Sequence, residues 1–323
     1  MTAYLLTGGG GFVGQWIARA LIERGATPTL SGLGSLDDGA PVLTLGERRA
    51  VRWVRCDMRS REQVEAMIDT ARPDVIVHLA GVAFPPDADD DPSATYDVNA
   101  LGVVRLLGVV ASRRRAGGLD PVIVVVGTAQ QYGSCDAEQM PLTERTEQRP
   151  VSAYAASKAA QEIAALQRFR ADGLRIVCTR SFNHSGAGQD PRYLLPSIVS
   201  RVRAIRARGA GTLSIGNDVI RDYLHVRDVS AAYLALAERG TPGEVYNVAS
   251  GTGVSVRRLA ADVLLQAGVS ADITTEPALV RSTDIPVLVG SPAKLMDATG
   301  WAPRLTHADI IDDLLRSAHA ATD

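Results

Sequence analysis

Apolar and polar positions divide the first 180 residues into short apolar runs and longer amphipathic stretches. The runs at residues 74–79 and 121–127 are almost continuously apolar, which is typical of strands buried on both faces of a parallel sheet. The stretch at residues 12–24 instead repeats its apolar residues at helical spacing and ends at a glycine. Because strands and helices alternate in this way, the pattern predicts a doubly wound α/β fold with a parallel sheet and right-handed crossovers.

The pattern is looser after residue 180, where short strands are mixed with amphipathic helices. A strand at residues 245–248 is predicted to rejoin the main sheet, and residues 84–92, rich in proline and aspartate, are predicted to form a surface loop. Helices are predicted at four places: residues 194–208, 227–238, 255–267 and 306–318. The chain is therefore expected to combine one large sheet with a smaller C-terminal lobe that is interleaved with it.

Glycines at fixed spacing follow the first predicted strand. Gly8, Gly11 and Gly14 form a G-x-x-G-x-x-G pattern, and Phe12 and Val13 open the helix that follows. The first glycine permits a tight turn, the second lets the backbone approach a pyrophosphate, and the third lets the helix pack on the strand. The N-terminus of the helix supplies the anion site. In this strand–loop–helix context the pattern predicts dinucleotide binding.

The glycine motif lies in the larger of the two parts of the chain. Residues 1–180 are predicted to form a dinucleotide-binding domain, whose sheet residues 227–250 rejoin. Residues 181–323 are predicted to form the smaller substrate-binding lobe.

The far end of the predicted cofactor site leaves two questions open. Residues 31–34, after the second strand, carry neither the acid that suits NAD(H) nor a basic residue that suits NADP(H), and Asp37 and Asp38 come late. The choice between the two cofactors therefore stays open. Asp57, followed by Met58, is placed either to accept from the adenine amino group or to cap the next helix.

Composition sets broader limits. The 323 residues are 46% hydrophobic and 22% charged, with a net charge of −2, which predicts a globular protein with a large core and gives no support for nucleic-acid binding. Cys56, Cys135 and Cys178 lack a disulfide or metal spacing and the histidines are scattered, so we expect a reducing compartment and no metal site. Without a charged leader or an apolar run of about 18 residues, the chain is expected to be cytoplasmic, with no membrane partner.

Tyr154 and Lys158 lie in an alanine-rich stretch that favours a helix, and Ser152 can cap its start. Residues four apart lie on one face of a helix, so the two side chains are expected to point the same way. A nearby ammonium favours the phenolate, and we therefore expect a lowered pKa for Tyr154. Such pairs also occur on solvated helices, so the pair by itself does not identify a site.

Together these motifs resemble the extended short-chain dehydrogenases/reductases, and the resemblance runs the length of the chain. It is carried by the glycine motif, by Tyr154 and Lys158, and by Thr128, which stands four residues before the pair Tyr132-Gly133. The resemblance implies that Thr128, Tyr154 and Lys158 are catalytic, that Tyr154 and Lys158 also contact the cofactor, and that the cofactor is NAD(H) or NADP(H).

Two further matches concern the nicotinamide end of the cofactor. Asn99 matches the asparagine that keeps the catalytic lysine and its water chain in place, although a polar residue near a helix start would also be unremarkable. Leu79, Ala80 and Gly81 match the turn below the nicotinamide ribose. The resemblance therefore places all four residues at the cofactor.

The second half of the chain resembles the nucleotide-sugar branch of this family. Residues 180–189 are similar to its R-P-F-N-H-x-G-P-G-Q segment, most closely to that of GDP-6-deoxy-4-keto-mannose reductases and the related 4,6-dehydratases, with Ser181 and Ala187 in place of prolines. Residues 221–228 and 281–286 resemble two further elements of the branch. A guanidinium can bind phosphate oxygens through two parallel hydrogen bonds. The resemblance implies these substrate-binding residues: Asn183, Arg192, Arg221 and Arg281.

The residue two positions after Thr128 separates the reactions of this branch. In the resembling dehydratases a glutamate there removes the C5 proton, whereas this chain has Gln130, and a carboxamide is not a useful general base. The short link at residues 215–221 also resembles the GDP-sugar reductases. We therefore expect an NAD(P)H-dependent reductase of a GDP-linked 4-keto-6-deoxyhexose, with Gln130 at the substrate. The alternatives are a 4-epimerase with bound NAD, a 4,6-dehydratase and, from another class, a non-catalytic dinucleotide sensor.

The resemblance also implies a homodimer. The family packs its helices equivalent to residues 93–115 and 152–172 into a four-helix interface. The apolar stripe of Leu101, Val104 and Leu107 is compatible with this interface but is equally well explained as core.

Overall fold

The computed structural model of the chain describes residues 2–280 and 284–317. Its strands are β1 (Tyr4–Thr7), β2 (Thr29–Gly32), β3 (Arg52–Arg55), β4 (Val75–His78), β5 (Val122–Thr128), β6 (Arg175–Ser181), β7 (Asn183–Ser185), β8 (Thr212–Ile215), β9 (Ile220–His225), β10 (Val245–Val248), β11 (Gly253–Ser255), β12 (Asp272–Thr275) and β13 (Val287–Leu288). Its α-helices are α1 (Phe12–Glu23), α2 (Leu45–Arg49), α3 (Arg61–Ala71), α4 (Pro85–Asp90), α5 (Pro92–Tyr96), α6 (Gly102–Arg115), α7 (Ala153–Asp172), α8 (Leu194–Arg208), α9 (Val226–Arg239), α10 (Val256–Ala267), α11 (Ala293–Thr299) and α12 (His307–Arg316).

The main sheet has seven strands in the order β10-β6-β5-β4-β1-β2-β3, and each neighbouring pair is parallel. The strand order reverses between β1 and β4, so the connections after these strands leave toward opposite faces. A crevice forms at the carboxyl ends of strands at such a point, which is where open α/β sheets bind ligands. The predicted doubly wound α/β fold is confirmed.

Successive residues of the central strands enter two different cores, because side chains alternate across a strand. Leu6 and Val77 lie in the core with α1 and α9, whereas Leu5 and Ile76 lie in the core with α3, α6 and α7. All four side chains are fully buried. Burial on both faces is the reason why these strands are apolar at nearly every position.

The C-terminal lobe is built on a small mixed sheet, in which β9 pairs with β7 and β13 in parallel and with β11 in antiparallel orientation. Helices α8, α10 and α12 enclose a third core that also takes in the parallel pair β8 and β12. Between these elements the chain returns to the main sheet, where β10 lies beside β6. The assignment of the cofactor to residues 1–180 and of the substrate to residues 181–323 stays a prediction.

The prediction of a surface loop at residues 84–92 is wrong. This segment forms α4 and leads directly into α5, and both helices have proline in their first turn. Proline suits the first helical position, because its missing N–H has no helical partner there and its φ is already helical. Asp91 caps α5 by accepting a hydrogen bond from the Ala94 N–H at 3.0 Å. Proline starts these helices rather than interrupting them.

The helical stretch Pro92–Arg115 includes a π-helical turn at Asp97–Leu101, which carries Asn99. By length and composition alone this stretch is long and apolar enough to cross a membrane. Half of its most apolar window is buried inside the protein, and core helices of soluble proteins meet the same criteria. The composition of this helix therefore does not by itself indicate a membrane segment.

Candidate active site

The carboxyl ends of the central strands open into a cleft of about 1360 Å³. The glycine loop and the end of β3 line one wall, the end of β5 and the start of α7 line the other, and the C-terminal lobe closes the far end. Pockets for a single small ligand usually enclose about 300–1000 Å³. The cleft is therefore large enough to hold two ligands side by side.

The glycine loop makes close main-chain contacts that exclude side chains. Gly8 has a φ of +66°, and a Cβ on this residue would lie 2.7 Å from the main-chain nitrogen of Ala80. A Cβ on Gly14 would lie 2.6 Å from the Cα of Gly9. The loop residues that line the cleft include Gly8, Gly11, Phe12, Val13 and Gly14. The loop and the N-terminus of α1 thus fit a dinucleotide pyrophosphate.

Asp57 and Met58 line the cleft beyond β3. The Arg59 guanidinium pairs with the Asp57 carboxylate at 2.7 Å and holds the pKa of that carboxyl below its usual range. The residue that caps α3 is Ser60, whose hydroxyl accepts from the Gln63 N–H at 3.3 Å. The helix-cap alternative for Asp57 is therefore wrong, and its contact with the adenine amino group stays a prediction.

The end of β2 shows why an acid is missing there. A Cβ on Gly32 would lie 2.9 Å from the Trp53 ring, and the Trp53 indole N–H donates to the Gly34 carbonyl at 3.1 Å. The indole therefore fills the space into which a side chain at the strand end would project. Asp38 lines the cleft from the following loop, where it accepts from the Ser35 N–H at 2.8 Å. These residues fit the adenosine end of either dinucleotide, so the choice between NAD(H) and NADP(H) stays open.

The turn after β4 lies at the centre of the cleft, lined by Leu79, Ala80 and Gly81. Asn99 lies behind this turn and is fully buried. Its side-chain oxygen accepts from the Val82 N–H at 2.8 Å, and its amide nitrogen donates to the Ser157 hydroxyl at 2.9 Å. Asn99 thus fastens the turn to α7 rather than lining the cleft.

The side chains of Thr128 and Tyr154 both line the cleft and lie close enough to influence each other. Thr128 ends β5, and Tyr154 lies in the first turn of α7, which Ser152 caps by accepting from the Ala155 N–H at 3.2 Å. Burial raises the pKa of Tyr154 to about 12, and the neighbouring Thr128 side chain lowers it only in part. The lowered pKa expected from the sequence is wrong, because desolvation of the phenol dominates.

The Lys158 ammonium is held by neighbours other than Tyr154. It donates to the Val126 carbonyl and to the Gln161 side-chain oxygen, both at 3.0 Å, and the Gln161 amide donates to the same carbonyl at 3.0 Å. Lys158 also lines the cleft, and burial lowers its pKa to about 8. The ammonium is therefore mainly protonated near neutral pH.

Several predicted substrate residues line the same cleft: Gln130, Asn183, Arg192 and Arg221. Asn183 lies beside the Tyr223 side chain and partly offsets the rise in its pKa that burial causes. Arg192 lies at the mouth of the cleft, where it pairs with Asp87 at 3.1 Å and with Asp190 at 3.2 Å. Arg221 is half-buried, and burial lowers its pKa. Arg281 lies outside the described residues.

Arg201 is a cleft residue that the sequence analysis missed. It lies on α8 within the apolar face, three residues after Ile198 and four before Ile205, and burial lowers its pKa. A charged residue inside an apolar stripe was the signal that could have found it. Asn217 and Asp284, which hydrogen-bond each other at 2.8 Å, also line this end of the cleft.

Within residues 2–280 and 284–317, no group of three or more His, Cys, Asp and Glu side chains could hold a metal ion.

The family model for GDP-mannose 4,6 dehydratase matches residues 5–314. The chain belongs to this family. The predicted resemblance to extended short-chain dehydrogenases/reductases of the nucleotide-sugar branch is thereby confirmed.

Known proteins are similar to this chain over most of its length. A GDP-6-deoxy-D-mannose reductase from Pseudomonas aeruginosa is 35% identical over 236 residues, which cover 72% of this chain and 76% of the relative. The structure of RMD from Pseudomonas aeruginosa complexed with NADPH superposes with a TM-score of 0.81 at 30% identity, covering 97% of this chain and 98% of that one. The UDP-glucose 4-epimerase of Thermus thermophilus in complex with NAD gives a TM-score of 0.80 at 28% identity, covering 96% and 98% of the two chains.

Proposed function

We propose that the protein is an NAD(P)H-dependent reductase of the C4 keto group of a nucleotide-linked 4-keto-6-deoxyhexose. The substrate that we favour is GDP-4-keto-6-deoxy-mannose. The observation that carries the proposal is that Thr128, Tyr154 and Lys158 line one cleft together with Gln130, which by resemblance corresponds to the base of the related dehydratases. The similarity to a GDP-6-deoxy-D-mannose reductase supports the choice of substrate.

In this proposal the side chains of the cleft divide the work. NAD(P)H, bound along the glycine loop, would supply a hydride to C4. Tyr154, which its raised pKa keeps protonated near neutral pH, would donate its proton to the alkoxide formed at the same carbon. Thr128 would hydrogen-bond that oxygen and stabilise its developing charge. The Lys158 ammonium would bind the nicotinamide ribose and add positive charge beside Tyr154.

The binding residues follow the same division. We assign the cofactor to the glycine loop, to Asp57 and Met58, and to the turn at residues 79–81 that Asn99 supports. We assign the sugar and its diphosphate to Gln130, Asn183 and three arginines: Arg192, Arg221 and Arg281. The half-buried Arg221 suits this role, because its charge is only partly hydrated before phosphate arrives.

Substitution of Tyr154 by phenylalanine tests the proposal. Tyr154→Phe removes the proton donor but keeps the ring, so turnover of the keto sugar should fall below detection while the dissociation constant for NAD(P)H changes less than about twofold. Both quantities can be measured by following nicotinamide absorbance and fluorescence. Retained turnover in the variant would remove Tyr154 from the mechanism.

The second candidate is a nucleotide-sugar 4-epimerase, which the similarity to a UDP-glucose 4-epimerase supports. An epimerase returns the hydride to its substrate and leaves the cofactor unchanged. We therefore propose to record nicotinamide absorbance during turnover. A reductase consumes one NAD(P)H for each sugar reduced, whereas steady absorbance with a changed sugar would favour the epimerase.

We also propose that the protein is a cytoplasmic homodimer that pairs through α6, α7 and the π-helical turn before α6. Leu101 and Ile163 on these elements are 49% and 65% exposed, which leaves apolar area for a partner, whereas Leu107 is fully buried and belongs to the core. Light scattering should give twice the chain mass for the wild type. The variant Ile163→Asp should shift the mass toward that of a monomer, and an unchanged dimer would place the interface elsewhere.

A further inference from the structure

Gln131 follows the catalytic wall of the cleft but does not line it. It lies in the short 3-10 helix Ala129–Tyr132, whose N-cap is Thr128, and its side chain is fully buried. Its carboxamide oxygen accepts a hydrogen bond from the Thr128 main-chain N–H at 2.8 Å. Gln131 therefore contacts the residue that we place at the reacting carbonyl, from the side opposite to the cleft.

The other end of the Gln131 carboxamide is tied to a buried carboxylate. Its nitrogen donates to Glu162 at 3.0 Å and to Gln148 at 3.1 Å. The Gln131 oxygen accepts from Thr128 and both amide hydrogens are donated, so the orientation of this carboxamide is fixed. A carboxylate or an apolar side chain could not make all three bonds.

Glu162 is itself held on both oxygens. Each oxygen accepts one bond from the Arg180 guanidinium, at 2.7 and 3.0 Å, and one from a glutamine side chain. The Glu162 and Arg180 side chains are only 5% and 6% exposed. A buried pair in which every lone pair is used is rigid, because moving either partner would leave a charge unpaired.

The chain leaves room for this arrangement at Gly127. A Cβ on Gly127 would lie 2.4 Å from the Gln131 side-chain oxygen, so only glycine allows the carboxamide to reach the main chain of the next residue. The Thr128 hydroxyl in turn accepts from the Gln130 N–H at 3.3 Å, and the Thr128 side chain is close enough to Tyr154 to lower its pKa in part. The direction of the hydroxyl thus depends on a turn whose first N–H is held by Gln131.

We propose that Gln131 is a positioning residue, which connects the buried Glu162–Arg180 pair to the main chain of Thr128 and so holds the Thr128 hydroxyl beside Tyr154. Gln131 touches neither ligand in this proposal and acts only through Thr128. A displacement of a catalytic group by about 1 Å can reduce turnover roughly a hundredfold. Loss of the connection should therefore lower kcat more than it affects ligand binding.

The variant Gln131→Met tests the proposal, because methionine has a similar length and forms none of the three hydrogen bonds. Crystal structures of the wild type and the variant should show the Thr128 hydroxyl displaced by about 1 Å, with the Glu162–Arg180 pair in place. In the reductase assay, which rests on the proposed function, kcat should fall about ten- to a hundredfold. The dissociation constant for NAD(P)H should stay within about twofold.

Gln148→Met is the matched control, because Gln148 donates to the same Glu162 carboxylate at 2.6 Å, and its loss removes one bond of Gln131 but leaves those to Thr128 and Glu162. We expect it to lower the melting temperature while kcat stays within about threefold of the wild type. Gln131→Glu is a second variant, which in its protonated form can still bind both Thr128 and Glu162, so its kcat should lie between those of wild type and Gln131→Met.

The two measurements keep failure of this inference separate from failure of the proposed function. A Thr128 hydroxyl that stays in place in Gln131→Met overturns the inference, whatever happens to kcat. Equal losses of kcat in Gln131→Met and Gln148→Met also overturn it, because the effect would then be general destabilisation. If the wild type does not reduce the keto sugar, the reductase proposal fails, and the position of Thr128 in the two structures still decides the inference.

Discussion

The two walls of the cleft are constructed on different principles. The cofactor wall is shaped by main chain, since Gly8 approaches Ala80 and Gly14 approaches Gly9 so closely that no side chain fits. The catalytic wall is shaped by side chains, since Thr128 and Lys158 are each held by a buried glutamine. The first wall therefore depends on steric space, and the second depends on a complete set of hydrogen bonds.

This difference predicts how each wall fails. The wall that depends on steric space should lose stability when a single methyl group is added, and the loss should be larger where the methyl group meets main-chain atoms. The wall that depends on hydrogen bonds should lose stability when a single partner is removed, and the loss should be largest where a charge is left buried and unpaired. The variants below compare the two walls, beginning with the most destabilising.

The largest loss of stability is expected from Glu162→Leu on the catalytic wall. It leaves the Arg180 guanidinium buried without a counter-ion, which should lower the free energy of unfolding by roughly 3–5 kcal/mol. Urea denaturation followed by circular dichroism measures this change. The double variant Glu162→Leu with Arg180→Met removes both charges and should recover part of the loss. A double variant as unstable as the sum of its parts would show that the pair is not coupled.

On the cofactor wall, Gly8→Ala should lower the free energy of unfolding by roughly 2–5 kcal/mol. The left-handed backbone at Gly8 costs alanine about 1–2 kcal/mol, and the approach to the Ala80 main chain adds about 1–3 kcal/mol. Dinucleotide affinity, measured by fluorescence titration, should fall as well.

Gly25→Ala separates the two causes, because Gly25 has a φ of +77° but a Cβ there would meet nothing within 4 Å. It should show the backbone cost of about 1–2 kcal/mol and bind the dinucleotide normally. If both glycine variants lose equal stability, close packing is not what shapes the cofactor wall.

The same difference decides what the sequence could predict. The glycine motif was recognised because its residues are close together in the chain and each has a local steric purpose. Thr128, Tyr154 and Lys158 were found through their spacing and a family resemblance. The residues that hold them were not found. Gln131 and Glu162 are 31 positions apart, so the contact between them leaves no local pattern in the sequence.

A signal for the catalytic wall was nevertheless present. Tyr154, Lys158 and Glu162 follow one another at four-residue intervals, which places all three along one face of α7. A charged stripe on an alanine-rich helix can be solvated surface, and only the burial of Glu162 against Arg180 distinguishes the two cases. The short lobe strands β7, β11 and β13 were missed for a different reason, since strands of two or three residues are too short to show a period.

His78 is a fully buried residue at the end of β4, and its contribution to stability should depend on pH. Its Nδ1 lies 2.8 Å from the Thr7 hydroxyl, and burial, with a smaller contribution from the Lys158 charge, lowers its pKa to about 3. The unfolded chain binds a proton at this residue with a pKa near 6.5, whereas the folded chain does not until about pH 3. The free energy of unfolding should therefore fall as the pH drops through this window, by about 3 kcal/mol at pH 4.

The variant His78→Gln isolates that contribution, because other groups titrate in the same range in both proteins. Urea midpoints of wild type and variant should converge as the pH falls from 7 to 4, since only the wild type has an imidazole that is protonated in the unfolded chain and stays neutral in the folded one. A constant difference between the two proteins over this range would mean that His78 is not kept neutral by burial.

The smallest effect on stability is expected at the mouth of the cleft, where neither principle applies. Arg192 is 53% exposed, pairs with Asp87 and Asp190, and lies 4.5 Å from the Phe84 ring centroid. Exposed ion pairs contribute little, so Arg192→Met should leave the urea midpoint unchanged. The KM for the nucleotide sugar should rise roughly three- to tenfold, because a cation that can bind phosphate is lost.

Arg61→Met is the control for that measurement, since Arg61 forms a similar exposed ion pair with Glu65 on α3 but does not line the cleft. It should change neither the urea midpoint nor KM. An equal rise of KM in both variants would mean that net charge, and not position, attracts the substrate. A rise confined to Arg192→Met would show that side chains at the mouth contribute to binding without contributing to the fold, unlike those of either wall.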